Sequence, residues 1–243
     1  MVWPAALSLS IAGSVGGLLT ASLLLLVDGP VRTRIVPWLI SYAVGTLLGA
    51  SLLNLLPQAL ETVPPTPVFG ALLAGIITFF ILEKLVLWRH CHDAHECQIH
   101  RSTASLVIVG DAVHTFVDGV VIAAAALVSV PFGATTALAV AAHEIPQEAG
   151  DFAILLAAGY SRTRAILLNL ASALGGVAGA SLMLLFGSHA PAVVPYVLAF
   201  AAGNFLYVAM ADLIPALHRG AIDSNAVRQL ILIGAGILTI VVL

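Results

Sequence analysis

The chain has 243 residues, 60% hydrophobic and 9% charged, with a formal net charge of −3 and a mean hydropathy of +1.09. A soluble domain carries about a quarter charged residues, so the composition excludes a soluble globular protein and specifies an integral membrane protein with no nucleic-acid partner. Hydrocarbon offers no water to backbone polar groups, so the chain must span as helices or as a closed barrel, and its continuous apolar runs favour helices.

Windows of about 20 apolar residues give eight candidate spans, at 5–27, 37–60, 67–88, 104–128, 133–158, 163–187, 193–217 and 226–243. Span 1 is too long, and too short of basic residues at its start, for a cleaved signal peptide. Its Gly13-x-x-x-Gly17 pattern suits close helix packing in lipid. Span 2 opens on Val36-Pro37 and ends on Asn54, Pro57 and Gln58. Span 3 ends on Glu83-Lys84, expected to form an ion pair or snorkelling pair at a membrane boundary. The loop at 90–101 then carries His90, Cys91, His92, His95, Cys97 and His100. This density of ligands suggests metal capture or sensing, with a merely polar loop as the alternative, since the spacing fits no structural zinc motif. Two cysteines in one loop support no disulfide framework across the fold.

Spans 4 and 5 hold the chemistry. On span 4, Asp111, His114 and Asp118 recur at i, i+3 and i+7 and share one helical stripe. On span 5, His143, Gln147 and Asp151 form one line, with Glu144 and Glu148 on the adjacent one. Ionisable groups at membrane depth are expensive and mark functional sites by default. Two antiparallel helices offering facing stripes bring His114, Asp118, His143 and Gln147 within reach of one ion. Imidazole with carboxylate oxygen suits zinc and neighbouring first-row ions better than magnesium or calcium. Pro146 frees the carbonyl of Ala142, an additional oxygen ligand where backbone lines a cavity. Asp111 alone reads equally well as a helix-to-helix hydrogen bond. Asp151 is either an orienting partner of a ligand or a helix contact.

Spans 6–8 resemble spans 1–3. Gly45, Asn54 and Pro57 match Gly203, Asp212 and Pro215 at a constant offset, Gly13 and Gly17 match Gly175 and Gly179, and Gly75 matches Gly236. Five spans separate the copies, so the second enters from the opposite face, as in the inverted repeats of many secondary transporters. The expected fold is an all-α membrane protein of eight transmembrane helices, with helices 1–3 and 6–8 repeated in inverted topology around helices 4 and 5, as one transporter domain over 1–243. All nine Lys and Arg fall on one side of this arrangement. Basic residues mark the cytoplasmic face, so both termini are expected outside, most simply at the cell membrane. Asn54 and Gln58 then read as an outer entrance and Asp212 as an inner exit, against the alternative of ordinary proline-bearing helix ends.

The segments His114-Thr115-Phe116-Val117-Asp118-Gly119 and His143-Glu144-Ile145-Pro146-Gln147-Glu148-Ala149-Gly150-Asp151 resemble the span 4 and span 5 signatures of the ZIP (Zrt-/Irt-like) metal transporters, histidine-rich branch. The resemblance covers essentially the whole chain. It implies import of zinc or a related divalent ion as substrate, no organic cofactor, and a second ion held by residues matching Thr115, Asp118, Glu144 and Gln147. Thr115 stands where the pattern has Asn and Gln147 where it has His, both weaker ligands. The expected metal set is therefore His114, Asp118, His143, Glu144, Gln147 and Glu148, with Asp111, Thr115, Asp151, Asn54, Gln58 and Asp212 as supporting or pathway residues. Expected partners are divalent ions and the bilayer, with a homodimer as an open expectation. Alternatives are a metal-gated channel or sensor using the same ligands, and an intramembrane metalloprotease. The protease needs H-E-x-x-H, and here Gln147 replaces the second His, so no enzymatic activity is expected.

Overall fold

Helices are what the described residues form, with no strand among them. The computed structural model describes residues 2–24, 27–88, 101–187, 189, 191–217 and 224–243; the His/Cys loop read as a metal-capture segment lies outside them. In chain order the helices are α1 (Val2–Leu24), α2 (Gly29–Gly49, continued by a π-helical turn Ala50–Leu55 and by Leu56–Leu60), α3 (Pro65–Trp88), α4 (Arg101–Val128) and α5 (Val130–Ala157). They continue as α6 (Arg162–Gly187), α7 (Val194–Tyr207, continued by a π-helical turn Val208–Leu213 and by Ile214–Leu217) and α8 (Ser224–Val242). Six segments are long and apolar enough to cross a membrane: Val2–Leu24, Arg34–Leu60, Pro65–Lys84, Val107–Val128, Arg162–Gly187 and Pro191–Leu217. Of the other two helices, α5 carries His143, Glu144, Gln147, Glu148 and Asp151 within its length, and α8 is shorter. The chain is an all-α integral membrane protein. Leu19, Leu23, Phe69, Leu73, Leu230 and Leu238 stand outward, large exposed apolar side chains that lipid accommodates better than water.

One helix start and one side-chain partner differ from the sequence reading. α2 opens at Gly29, not at residue 37, because Pro37 sits inside the helix. A proline there removes only the bond to the carbonyl four residues earlier, and the hydroxyl of Ser41 donates to the Pro37 carbonyl at 2.7 Å. At the end of α3, Glu83 finds a different partner from the expected Lys84. The Tyr207 hydroxyl on α7 donates to the Glu83 carboxylate, while Lys84 lies over the Phe80 ring at 5.8 Å.

The π-helical turns follow from Pro57 and Pro215. A proline ring clashes with the carbonyl four residues back, and widening the preceding turn by one residue relieves it. Accordingly the Leu56 N–H donates to the Ser51 carbonyl and the Ile214 N–H to that of Ala209. Between α4 and α5 there is a single linking residue, Ser129, whose side chain accepts from the Phe132 N–H at 3.2 Å and caps α5. Such a tight cap turns the chain straight back, so α5 runs antiparallel beside α4.

The helices sort into two groups of four. α1, α4, α5 and α6 pack on one another, and α2, α3, α7 and α8 likewise, with α2 against α5 and α4 against α7 as the main junctions. Within the second group two crossings are nearly backbone on backbone. A Cβ at Gly45 would lie 2.1 Å from the Ile233 carbonyl oxygen and one at Gly236 2.4 Å from that of Tyr42, which brings α2 onto α8. α3 and α7 meet the same way, through Gly75 against Phe200 and Gly203 against Leu72, each at 2.1 Å. Small residues at such crossings are the usual means of helix association in lipid.

Candidate metal centre

The facing polar stripes of α4 and α5 meet in the interior. His114, Asp118, His143 and Glu144 are 6%, 1%, 1% and 0% exposed, and each offers a ligand atom within 4.8 Å of the others. His143 Nε2 lies 3.1 Å from His114 Nε2 and 3.2 Å from Asp118 Oδ2. His114 Nε2 lies 3.6 Å from Asp118 Oδ2 and 3.9 Å from Glu144 Oε1. A tetrahedral ion with nitrogen and oxygen ligands at about 2.0–2.1 Å has ligand-to-ligand edges of about 3.3 Å. The four measured edges bracket that value, and all four donors lie within 4.8 Å of one another.

The local fold orients these donors. His143 Nδ1 donates to the Ala139 carbonyl at 3.0 Å. A carbonyl only accepts, so Nδ1 is the donor there and Nε2 is the nitrogen turned toward the cluster, the one a metal would take. The two rings meet edge-on at 5.3 Å. Aromatic rings of the other helix group wall them in: Phe79 of α3 lies 5.2 Å from the His114 ring and Phe205 of α7 lies 5.7 Å from the His143 ring. On the far side of α5, a Cβ at Gly17 would come 2.7 Å from Glu144 Cβ, so the glycine pattern of α1 lets that helix press on the site itself.

A second set lies beside the first. Asp111, Glu144 and Glu148 also have ligand oxygens within 4.8 Å of one another. The Gln147 amide donates to Asp111 Oδ1 at 3.2 Å and the Ser172 hydroxyl of α6 donates to Asp111 Oδ2. The Thr115 hydroxyl donates to the Asp111 main-chain carbonyl at 2.6 Å. Gln147 is thus joined through its amide N–H to Asp111, a member of the second set. Both oxygens of Glu144 and of Glu148 are buried without a hydrogen-bond partner among the described residues.

A cavity of about 510 Å³ reaches this region, lined among others by Glu83, Asp111, His114, Gln147, Asp151, Tyr207 and Asp212. Its ionisable lining is acidic apart from His114 and the Tyr207 phenol, an electrostatic environment that favours cations. Asp151 and Asp212 are therefore joined to the site by open space. Asn54 is half-buried in the α2 π-helical turn. Gln58 donates to Glu61 at 2.7 Å and lines a separate cavity of about 730 Å³ with Leu127, Gly187 and Tyr196. Val121 to Ala126 of α4 and Leu198, Ala199 and Ala202 of α7 are essentially fully buried.

Three residues at the site escaped the sequence reading. Ser172 is one hydroxyl in an apolar helix, and its only hint is Asn169 three residues earlier, a polar pair on one face. Phe79 and Phe205 look like any core or lipid-facing aromatic until the histidines are placed beside them.

Comparison with known proteins places this geometry in context. The family model described as ZIP Zinc transporter matches residues 88–243. The chain is 35% identical over 218 residues to zinc transporter ZIP13 of Pongo abelii, covering 84% of this chain and 65% of that protein. It is 32% identical over 246 residues to human zinc transporter ZIP4, covering 73% of this chain and 38% of that one. Zinc transporter ZIP10 of Danio rerio is 44% identical over 119 residues, 49% of this chain and 14% of its own length. The chain spans about two thirds or less of these relatives.

Proposed function

The chain belongs to the ZIP zinc transporter family, whose members are transporters and not enzymes, and on that premise we propose that it carries a divalent metal ion, zinc foremost, toward the cytoplasm. The observation that carries the reading is the buried set His114, Asp118, His143 and Glu144, with donor spacings suited to one tetrahedral ion. The relatives ZIP13 and ZIP4 are zinc transporters, and two imidazoles with two carboxylates are a donor set zinc accepts.

The proposed path is alternating access between eight spans. The reading is supported by how the molecule divides: the site lies wholly on the α1, α4, α5, α6 group, and the other group contributes Phe79 and Phe205 as walls. Side-chain hydrogen bonds between helices, Ser10 to Gly176, Gln147 to Asp111, Ser172 to Asp111, Tyr42 to Thr239 and Tyr207 to Glu83, each stay inside one group. One group can therefore shift along the other without breaking these bonds, the rocking of repeats that alternating access requires. Inverted repetition of helices 1–3 and 6–8 is favoured by the π-helical turns Ala50–Leu55 and Val208–Leu213, which fall at the same offset as Pro57 and Pro215. The reciprocal glycine crossings of α2 with α8 and α3 with α7 favour it too.

Direction follows from charge. The acidic cavity is lined in part by Glu83, Ile154 and Asp212, which lie in sequence toward the helix ends that bear Lys84, Arg162 and Arg164. Basic residues face the cytoplasm, so the termini are outside, the cavity faces inward, and Asp212 stands at the exit. The corresponding entrance lies near Asn54 and Gln58, at the cell membrane surface. A metal-gated channel uses the same donors and differs in flux.

The test is zinc uptake into proteoliposomes against manganese, iron, cobalt and cadmium as competitors, with Gln147→His alongside. Saturable uptake that cadmium blocks, and a lower KM in Gln147→His, are expected; absence of flux rules out the carrier. Without an imposed gradient, uptake should weaken on acidification, because coordinating imidazoles must be neutral. Uptake rising with acidity would instead indicate proton drive.

A further inference from the structure

Asn204 of α7 is 1% exposed, and neither its amide oxygen nor its amide nitrogen has a hydrogen-bond partner among the described residues. It stands inside Pro191–Leu217, a segment long and apolar enough to cross a membrane. An amide buried without partners is destabilising, because it has given up its hydrogen bonds to water for nothing. An apolar side chain at that position would escape the penalty. The partner of Asn204 therefore belongs to a step in which the ion or the helices move.

Helical register gives the direction of its side chain. Ala201, Asn204, Phe205 and Val208 fall at i, i+3, i+4 and i+7 and share one stripe of α7. Ala201 lines an apolar cavity of about 450 Å³ together with Phe116, Val117 and Val120 of α4. Phe205 meets the His143 ring at 5.7 Å, and Val208 lines the acidic cavity with His114 and Asp111. Enclosed by these three neighbours, the Asn204 amide is directed at α4 between the levels of Val117 and His114, the turn next to Asp118. α7 belongs to the helix group opposite the metal cluster, so Asn204 brings a polar atom to the cluster from across the junction between groups.

Resting on the transport reading above, we infer that Asn204 Oδ1 is a transit ligand, which takes hold of the divalent ion as the helix groups shift and eases its release from His114, Asp118, His143 and Glu144. Those four donors already fill a tetrahedral shell, and zinc accepts a fifth ligand in passing. The fifth donor therefore acts on the rate of exchange more than on resting affinity. One ion-to-Oδ1 bond forms as one bond to a cluster ligand is given up, and no proton or electron moves. A neutral amide oxygen suits this role, since a carboxylate there would add full charge attraction at low dielectric and hold the ion back.

The experiment compares the parent chain with Asn204→Leu and Asn204→Asp, by zinc uptake into proteoliposomes and by thermal unfolding. Asn204→Leu should lower the maximal uptake rate at least about tenfold while the zinc concentration for half-maximal uptake stays within about threefold. Its thermal midpoint should be unchanged or higher, because the unpartnered amide is gone. Loss of transport without loss of stability is the signature that a merely structural asparagine would not give. Asn204→Asp keeps the oxygen in place, and it should retain uptake well above that of Asn204→Leu, with half-saturation at lower zinc. An unchanged maximal rate in Asn204→Leu, a lowered midpoint accompanying its lost uptake, or Asn204→Asp no more active than Asn204→Leu each overturns the inference. No uptake by the parent chain would overturn the transport reading and this inference with it, whereas parent uptake that Asn204→Leu leaves unchanged overturns this inference alone.

Discussion

Replacing His114 and His143 together by alanine is expected to lower zinc uptake more than about a hundredfold, beyond the 10–100-fold typical for residues that only support a ligand. Two of the four donors at one point are lost, and the remaining carboxylates, Asp118 and Glu144, cannot complete a tetrahedral shell. The fold should survive, because the main structural bond lost is local, from His143 Nδ1 to the Ala139 carbonyl one turn back. A monodisperse size-exclusion profile separates loss of function from loss of structure. Undiminished uptake in a well-folded variant would remove these histidines from the transport path.

The second large effect is on assembly. A Cβ at Gly119 would lie 1.8 Å from the Gly176 carbonyl oxygen, and one at Gly179 would lie 2.0 Å from that of Phe116. Both obstacles are backbone and cannot rotate aside, so even alanine forces α4 and α6 apart. That separation also strains the Ser172 to Asp111 bond that links the same helices. Gly179→Ala should therefore destabilise the protein by about 1–3 kcal/mol, the usual cost of overpacking, and lower its thermal midpoint by several degrees. Gly16→Ala is the control, since nothing lies within 4 Å of its Cβ position, and it should leave the midpoint unchanged. Equal effects from the two would mean that helix propensity, not the α4 to α6 approach, governs the response.

What could be read from the sequence, and what could not, follows from the range of the signals. Membrane helices announce themselves because hydrocarbon leaves the chain no alternative, and the spacing of His114 to Asp118 and of His143 to Gln147 is local to one helix. Which stripe residue meets which across two helices is not local. Gln147 stands in line with His143 in sequence, and only the fold shows that its amide N–H also reaches Asp111 of α4, a carboxylate shared with Ser172 of α6. Glu83 likewise sits beside Lys84 in sequence and bonds to Tyr207 across helices. The prolines carried more than their positions suggested: Pro57 and Pro215 mark wide π-helical turns, whereas Pro37 passes unnoticed inside a helix. Phe79 and Phe205 gave no signal, since an aromatic that walls a metal site and one that faces lipid are the same letter.

The most direct measurement is zinc K-edge X-ray absorption on the purified chain loaded with one equivalent of zinc. The account predicts nitrogen and oxygen neighbours at about 2.0–2.1 Å, with the multiple scattering of two imidazoles, and loss of that scattering in His114→Ala/His143→Ala. Sulfur neighbours at about 2.3 Å, or an imidazole signal unchanged by the double substitution, would put the ion elsewhere and contradict it.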